Sequence, residues 1–204
     1  MQMLFSFILL IIVAACNQNN IKEKLFKDGD IIFQTSLSNQ SKAIQLATHS
    51  KFSHCGILIY KNNNWLVLEA VEPVKLTALS NWIAKGKDQA YVVKRLKSNF
   101  SLNQTDLKKM EKIGKSYLGK HYDLAFEWND NKIYCSELVW KIYKYGANIE
   151  LVKPQQLKDF DLRNSVVQQK LKERYGKDIP YNEMAISPDA IYNSDKLKII
   201  YSNY

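Results

Sequence analysis

Cys135 stands in the segment Tyr134-Cys135-Ser136-Glu137-Leu138-Val139, at the point where a helical pattern begins. The partial positive charge of a helix N-terminus favours thiolate over thiol, and the thiolate is the nucleophile. Leu138, Val139, Ile142 and Tyr143 give that helix a face for the core, so the sulfur would be held in one place. Read alone, Cys135 fits equally well as a small buried core thiol. Thiolate attack on an amide needs a partner that takes and returns a proton, and histidine does this near neutral pH. Of the three histidines, His54 opens the apolar run Cys55-Gly56-Ile57-Leu58-Ile59-Tyr60 and would be held on a strand end. His49 and His121 fall in a loop-like and a turn-like segment and read as surface residues. A base histidine also needs a group that fixes its ring. Glu69 interrupts the apolar run Leu66-Val67-Leu68-Glu69-Ala70, where an unpaired carboxylate would be costly. The alternatives are an edge-strand glutamate facing solvent, and Glu72 in the orienting role.

The elements that must position these groups follow from periodicity. His54 to Tyr60 and Trp65 to Val71 are apolar runs separated by Asn62-Asn63-Asn64, which predicts a β-hairpin with His54 and Glu69 roughly opposite each other. Neighbours on a strand point to opposite faces. Cys55 is therefore expected to face away from the site as core packing, with both Cys55 and Cys135 free. Asp28-Gly29-Asp30 marks a turn before the strand Ile31-Ile32-Phe33, and residues 39–48 carry the apolar spacing of a short helix. A turn of helix is expected around Trp82 between Leu79 and Ile83, and a strand from Ala90 to Leu96. Thr105 with Asp106 can cap a helix to about Leu118, ended by Gly119, while Gly146 is expected to stop the cysteine helix at Tyr145. Ser187-Pro188 starts a short helix to Tyr192, and Leu197 to Tyr201 reads as a last strand. The sum is an α+β domain built on an antiparallel sheet, with the nucleophile at a helix N-terminus.

The chain has 204 residues, and Lys plus Arg exceed Asp plus Glu by 29 to 20, a net charge of +9. The lysines are dispersed and no block of like charge occurs, which argues for a solvated basic surface and against nucleic-acid binding. Residues 1–15, MQMLFSFILLIIVAA, are uncharged and apolar and read as a signal peptide. The structural alternative is a buried N-terminal strand or helix. Val13-Ala14-Ala15-Cys16 resembles the lipobox of bacterial lipoproteins, although Met1-Gln2-Met3 lacks the usual basic residue. Cys16 would then carry lipid and residues 16–21 form a tether, leaving one domain over residues 22–204. Such a protein would sit on the bacterial cell envelope, bound to the membrane through its N-terminal lipid, and a monomer is expected. No His-Glu-x-x-His or paired-cysteine ligand spacing is present, so no metal or other cofactor is expected.

The order His, Glu, Cys, with Phe52-Ser53-His54-Cys55-Gly56-Ile57 early and Tyr134-Cys135-Ser136-Glu137-Leu138-Val139 late, resembles the permuted papain-like amidases of the YaeF/YiiX type, within the NlpC-like peptidase superfamily. The likeness extends to Gly29-Asp30-Ile31-Ile32-Phe33, to residues 40–50 and to Ser187-Pro188-Asp189. It implies a papain-like fold, circularly permuted so that the histidine strand precedes the cysteine helix. It also implies Cys135 as nucleophile, His54 as base and Glu69 as the orienting acid, acting on an amide bond in a cell-wall peptide or a small amino-acid amide. Tyr122, in Gly119-Lys120-His121-Tyr122-Asp123, matches a family tyrosine near the cleft and would help hold the oxyanion; the alternative is a packed aromatic in a turn. Cys55 stands where the family more often has an aliphatic residue. Acyl transfer or thioester hydrolysis on lipid substrates, and a lipid-anchored module that only binds peptides or amino acids, are the competing functions. The lecithin-retinol acyltransferase branch carries Asn-Cys-Glu-His around its nucleophile, which Tyr134-Cys135-Ser136-Glu137 does not match.

Overall fold

The computed structural model describes residues 23–204. The leader expected over 1–15, the lipidation expected at Cys16 and the tether expected over 16–21 all lie outside the described residues. Strands β1 (Ile31–Ser36), β2 (His54–Lys61), β3 (Asn64–Glu69), β4 (Lys75–Ala78), β5 (Gly86–Leu96) and β10 (Leu197–Ser202) form one antiparallel sheet in the order β10-β5-β1-β2-β3-β4. Helix α1 (Ser41–Thr48) follows β1, and α2 (Leu79–Ala84) lies between β4 and β5. Helix α3 (Gln104–Tyr117) precedes the two-residue strands β6 (His121–Tyr122) and β7 (Lys132–Ile133), and then comes α4 (Cys135–Ala147). Beyond it are β8 (Gln155–Gln156), α5 (Ser165–Tyr175), β9 (Met184–Ala185) and α6 (Pro188–Tyr192).

Alternation along the strands sorts the core into two layers. Ile31, Phe33, Cys55, Ile57, Leu68 and Val92 meet Leu138, Val139 and Ile142 of α4 on one face. Ile32, Leu58, Val67 and Val93 meet Leu79 and Trp82 of α2 on the other. The β2–β3 turn uses Asn62 and Asn63, both with positive φ (51° and 60°), the conformation of a tight hairpin turn that asparagine tolerates. A third, smaller apolar cluster joins Ala43 of α1 to Leu157 and to Val167 and Leu171 of α5.

Two helix ends differ from expectation. Asn103, not Thr105, caps α3: its side chain accepts from the Asp106 N–H while the Asp106 carboxylate accepts from the Asn103 N–H. Gly146 does not stop α4, which ends at Asn148 in the left-handed conformation. Its missing side chain serves packing instead, since a Cβ there would lie 2.5 Å from Met110 Cγ and 2.8 Å from Met110 Cα of α3. Helix α5 had no sequence signal, because only Val167 and Leu171 of its eleven residues are buried apolar positions.

Candidate active site

Cys135 is the first residue of α4 and is almost fully buried. The helix start is tied to the segment before α6: Ser136 Oγ donates to the Ile186 carbonyl at 2.7 Å, and the Tyr134 hydroxyl accepts from the Ile186 N–H at 3.1 Å. His54 is the first residue of β2 and Glu69 the last of β3. His54 Nε2 lies 2.7 Å from Glu69 Oε2, and Thr77 of β4 donates its hydroxyl to Glu69 Oε1 at 2.6 Å. The His54 ring stacks on Trp82 at 5.8 Å and 26°. Glu69 engages Nε2, which leaves Nδ1 as the ring nitrogen for the hydrogen bond between His54 and Cys135.

The sequence-predicted trio is thus brought together, with one refinement of register. Ile57 pairs with Leu68 and Leu58 with Val67. Continuing that register sets Glu69 against Gly56, so His54 reaches Glu69 diagonally across the glycine rather than directly opposite. A Cβ on Gly56 would lie 2.5 Å from Val67 Cγ1 and 2.8 Å from the Leu68 carbonyl oxygen, so only glycine fits there.

The electrostatics favour an ion pair. Burial would raise the Glu69 pKa, but the hydrogen bond and charge of His54, then Thr77, hold it below the ordinary carboxylate range. Burial opposes the His54 imidazolium, yet hydrogen bonds to Cys135 and Glu69 and their charges carry its pKa up to about 10. A hydrogen bond from Cys55, set against burial and reinforced by His54, holds the Cys135 thiol well below its usual value. Cys55 is pushed well above its own by burial and by Cys135, so it remains a thiol.

The expectation for Cys55 needs correction. Both cysteines are free, and His54 and Cys55 do point to opposite faces, but Cys55 does not face away from the site. Cys135 arrives from the α4 layer, which is the Cys55 side of the sheet. His54 reaches the same sulfur from the strand end. Alternation fixes the relative direction of two neighbours; the layer that supplies the third group decides which of them meets it.

Tyr122 lies in β6 and shares the wall of a cavity of about 90 Å³ with Cys135. The lining is almost wholly apolar, including Ala43, Ala47, Phe160, Val167 and Leu171, with Lys170 and Arg174 among it. Gln40 Nε2 donates to the Tyr122 hydroxyl at 2.9 Å, and Arg174 Nη2 donates to Gln40 Oε1 at 2.8 Å. Glu72, the fallback acid, does not reach His54. It accepts from His121 Nδ1 at 2.6 Å and from the Tyr122 N–H at 2.9 Å. Sequence reasoning missed Gly56, Thr77, Gln40 and Arg174. For Gly56 a signal existed, a glycine inside a strand pattern; for the others none did.

A family model described as "permuted papain-like amidase enzyme, YaeF/YiiX, C92 family" matches residues 25–201. The uncharacterized protein YiiX of Escherichia coli (strain K12) is 49% identical over 172 residues, covering 84% of each chain. A crystal structure of YiiX from Escherichia coli O157:H7, described as a metalloprotein, is 48% identical and superposes with a TM-score of 0.83, over 87% of this chain and 98% of its own. Among the described residues here, no group of three or more His, Cys, Asp or Glu side chains is arranged to hold a metal ion.

Proposed function

The chain belongs to the permuted papain-like amidase family of the YaeF/YiiX type, and from that premise we propose that it is a cysteine amidase or peptidase using Cys135, His54 and Glu69. The observation that carries this reading is the buried His54, held at 2.7 Å by a carboxylate whose second oxygen is also occupied, with its charge supported by the Cys135 thiol at the first position of α4. The Cys135 thiolate attacks the carbonyl carbon of an amide. The imidazolium then gives its proton to the leaving amine, an acyl-enzyme forms, and His54 next takes a proton from water to release the acid. The first N–H groups of α4, beginning with that of Cys135, have no partner within the helix and are placed to stabilise the oxyanion. Glu69 keeps the ring oriented and supports its charge. The substrate on this reading is a cell-wall peptide or a small amino-acid amide, met at the envelope by a lipoprotein anchored through Cys16.

The apolar cavity beside Cys135 favours a second reading, in which the transferred acyl group is an aliphatic chain of a lipid or thioester. One experiment separates the two. The full chain is incubated with wall-peptide fragments and with N-acyl amino acids of increasing chain length, and products are read by mass spectrometry beside a Cys135→Ala control. Amide cleavage of the peptides by the wild type alone supports the first reading. Turnover confined to long-chain acyl compounds supports the second, and equal product in the Cys135→Ala control would overturn both.

A further inference from the structure

Tyr122 can serve an oxyanion only if its hydroxyl hydrogen is free and aimed into the cleft, and hydrogen-bond polarity determines whether it is. A guanidinium only donates, whereas a side-chain amide donates at nitrogen and accepts at oxygen. Arg174 Nη2 donates to Gln40 at 2.8 Å, so the Gln40 group facing it must be the oxygen. The opposite amide orientation would set donor against donor. The Gln40 NH₂ therefore faces Tyr122 and donates to the hydroxyl oxygen at 2.9 Å. Tyr122 is thereby committed as an acceptor on that side, and among the described residues no protein acceptor takes its own hydrogen. That hydrogen is left to the cavity whose wall Tyr122 shares with Cys135.

The relay is held at both ends. The Arg174 guanidinium lies over the Phe126 ring at 4.7 Å and, among the described residues, pairs with no carboxylate. The Tyr122 backbone is pinned by Glu72 at 2.9 Å.

We propose that Arg174 and Gln40 are positioning residues that polarise Tyr122, so that its hydroxyl donates to the oxyanion formed when Cys135 attacks a carbonyl. The proposal rests on the hydrolase reading above. Its sharpest test is Gln40→Glu, nearly identical in shape. The new carboxylate still accepts from Arg174, but its second oxygen can only accept as well, so Tyr122 must turn its hydrogen away from the cleft.

The readout uses the full chain and two probes of Cys135. Acylation by p-nitrophenyl acetate passes through an oxyanion and is followed as a burst of p-nitrophenolate; alkylation by iodoacetamide forms none. In Gln40→Glu the burst is expected to slow about a hundredfold, the size of losing one oxyanion donor. Tyr122→Phe should match it, and the double variant should be no slower than either. The iodoacetamide rate should change by less than about twofold in each, since that reaction develops no charge on a carbonyl oxygen. Arg174→Met, which frees the amide to turn over, should slow the burst less. A Gln40→Glu chain with a wild-type burst would overturn the relay and leave the hydrolase reading intact. Equal loss of both rates in Gln40→Glu and Arg174→Met would overturn it in favour of simple packing. A wild-type chain that iodoacetamide labels at Cys135 but that gives no burst would overturn the hydrolase reading and the relay together.

Discussion

Two histidine–glutamate pairs in this molecule have nearly the same contact distance, 2.7 Å for His54–Glu69 and 2.6 Å for His121–Glu72, and opposite surroundings. The side chains of the first pair are 10% and 2% exposed, those of the second 73% and 59%. In the exposed pair water screens the charges, and the contact adds little to either partner. Glu72 is held below the ordinary carboxylate range first by the Tyr122 N–H and then by His121, and its work is to hold β6. In the buried pair the charges are shielded from solvent, so each group depends on its neighbours: Glu69 on His54 and Thr77, His54 on Glu69 and Cys135. Bond length therefore does not separate the buried pair proposed to be catalytic from the surface one. Burial and the neighbouring Cys135 thiol do.

Paired substitutions at the two sites measure that contrast. His54→Ala removes the proton carrier and should lower turnover by about 10² to 10⁴, whereas His121→Ala should change it by less than about threefold, as measured by initial rates on one substrate. Glu69→Gln keeps the shape but removes the charge that supports the imidazolium. It should cost on the order of ten- to a hundredfold through lost orientation, with Glu72→Gln again near wild type. Thr77→Val is the smallest. It deprives a buried carboxylate of one hydrogen bond, and denaturant unfolding should show a loss of about 1–3 kcal/mol. A His121 variant as damaged as the His54 variant would dissolve the distinction.

Much of this site was legible in the sequence because its groups sit where local patterns are strongest. His54 opens one apolar run and Glu69 interrupts the next, the two joined by turn-forming asparagines, and Cys135 begins an amphipathic helix with Leu138, Val139 and Ile142 buried. What was not legible depends on which layers meet. The closeness of Cys55 to Cys135 required knowing that α4 covers the Cys55 face. Gly146 looked like a helix stop because glycine often is one, but α3 crosses there and needs the space. Arg174 lies on a helix with almost no periodic signal, and its partner Gln40 is far away in sequence. The cavity is built from α1, α5, the first residues of α4 and short segments between them, which meet only in the tertiary structure.

If Cys135 rests as a thiolate paired with the His54 imidazolium, the pH dependence of its alkylation by iodoacetamide will show it. With the thiol pKa depressed and the His54 pKa raised to about 10, the thiolate should already be formed at neutral pH. The rate should already stand on its plateau at neutral pH, fall only as acid protonates the sulfur, and change again as the imidazolium loses its proton near pH 10. In His54→Ala the thiol loses the imidazolium but keeps its hydrogen bond from Cys55, so the plateau should begin at higher pH than in the wild type. A wild-type profile that itself rises through a single midpoint near 8.5, unchanged by His54→Ala, would contradict the account.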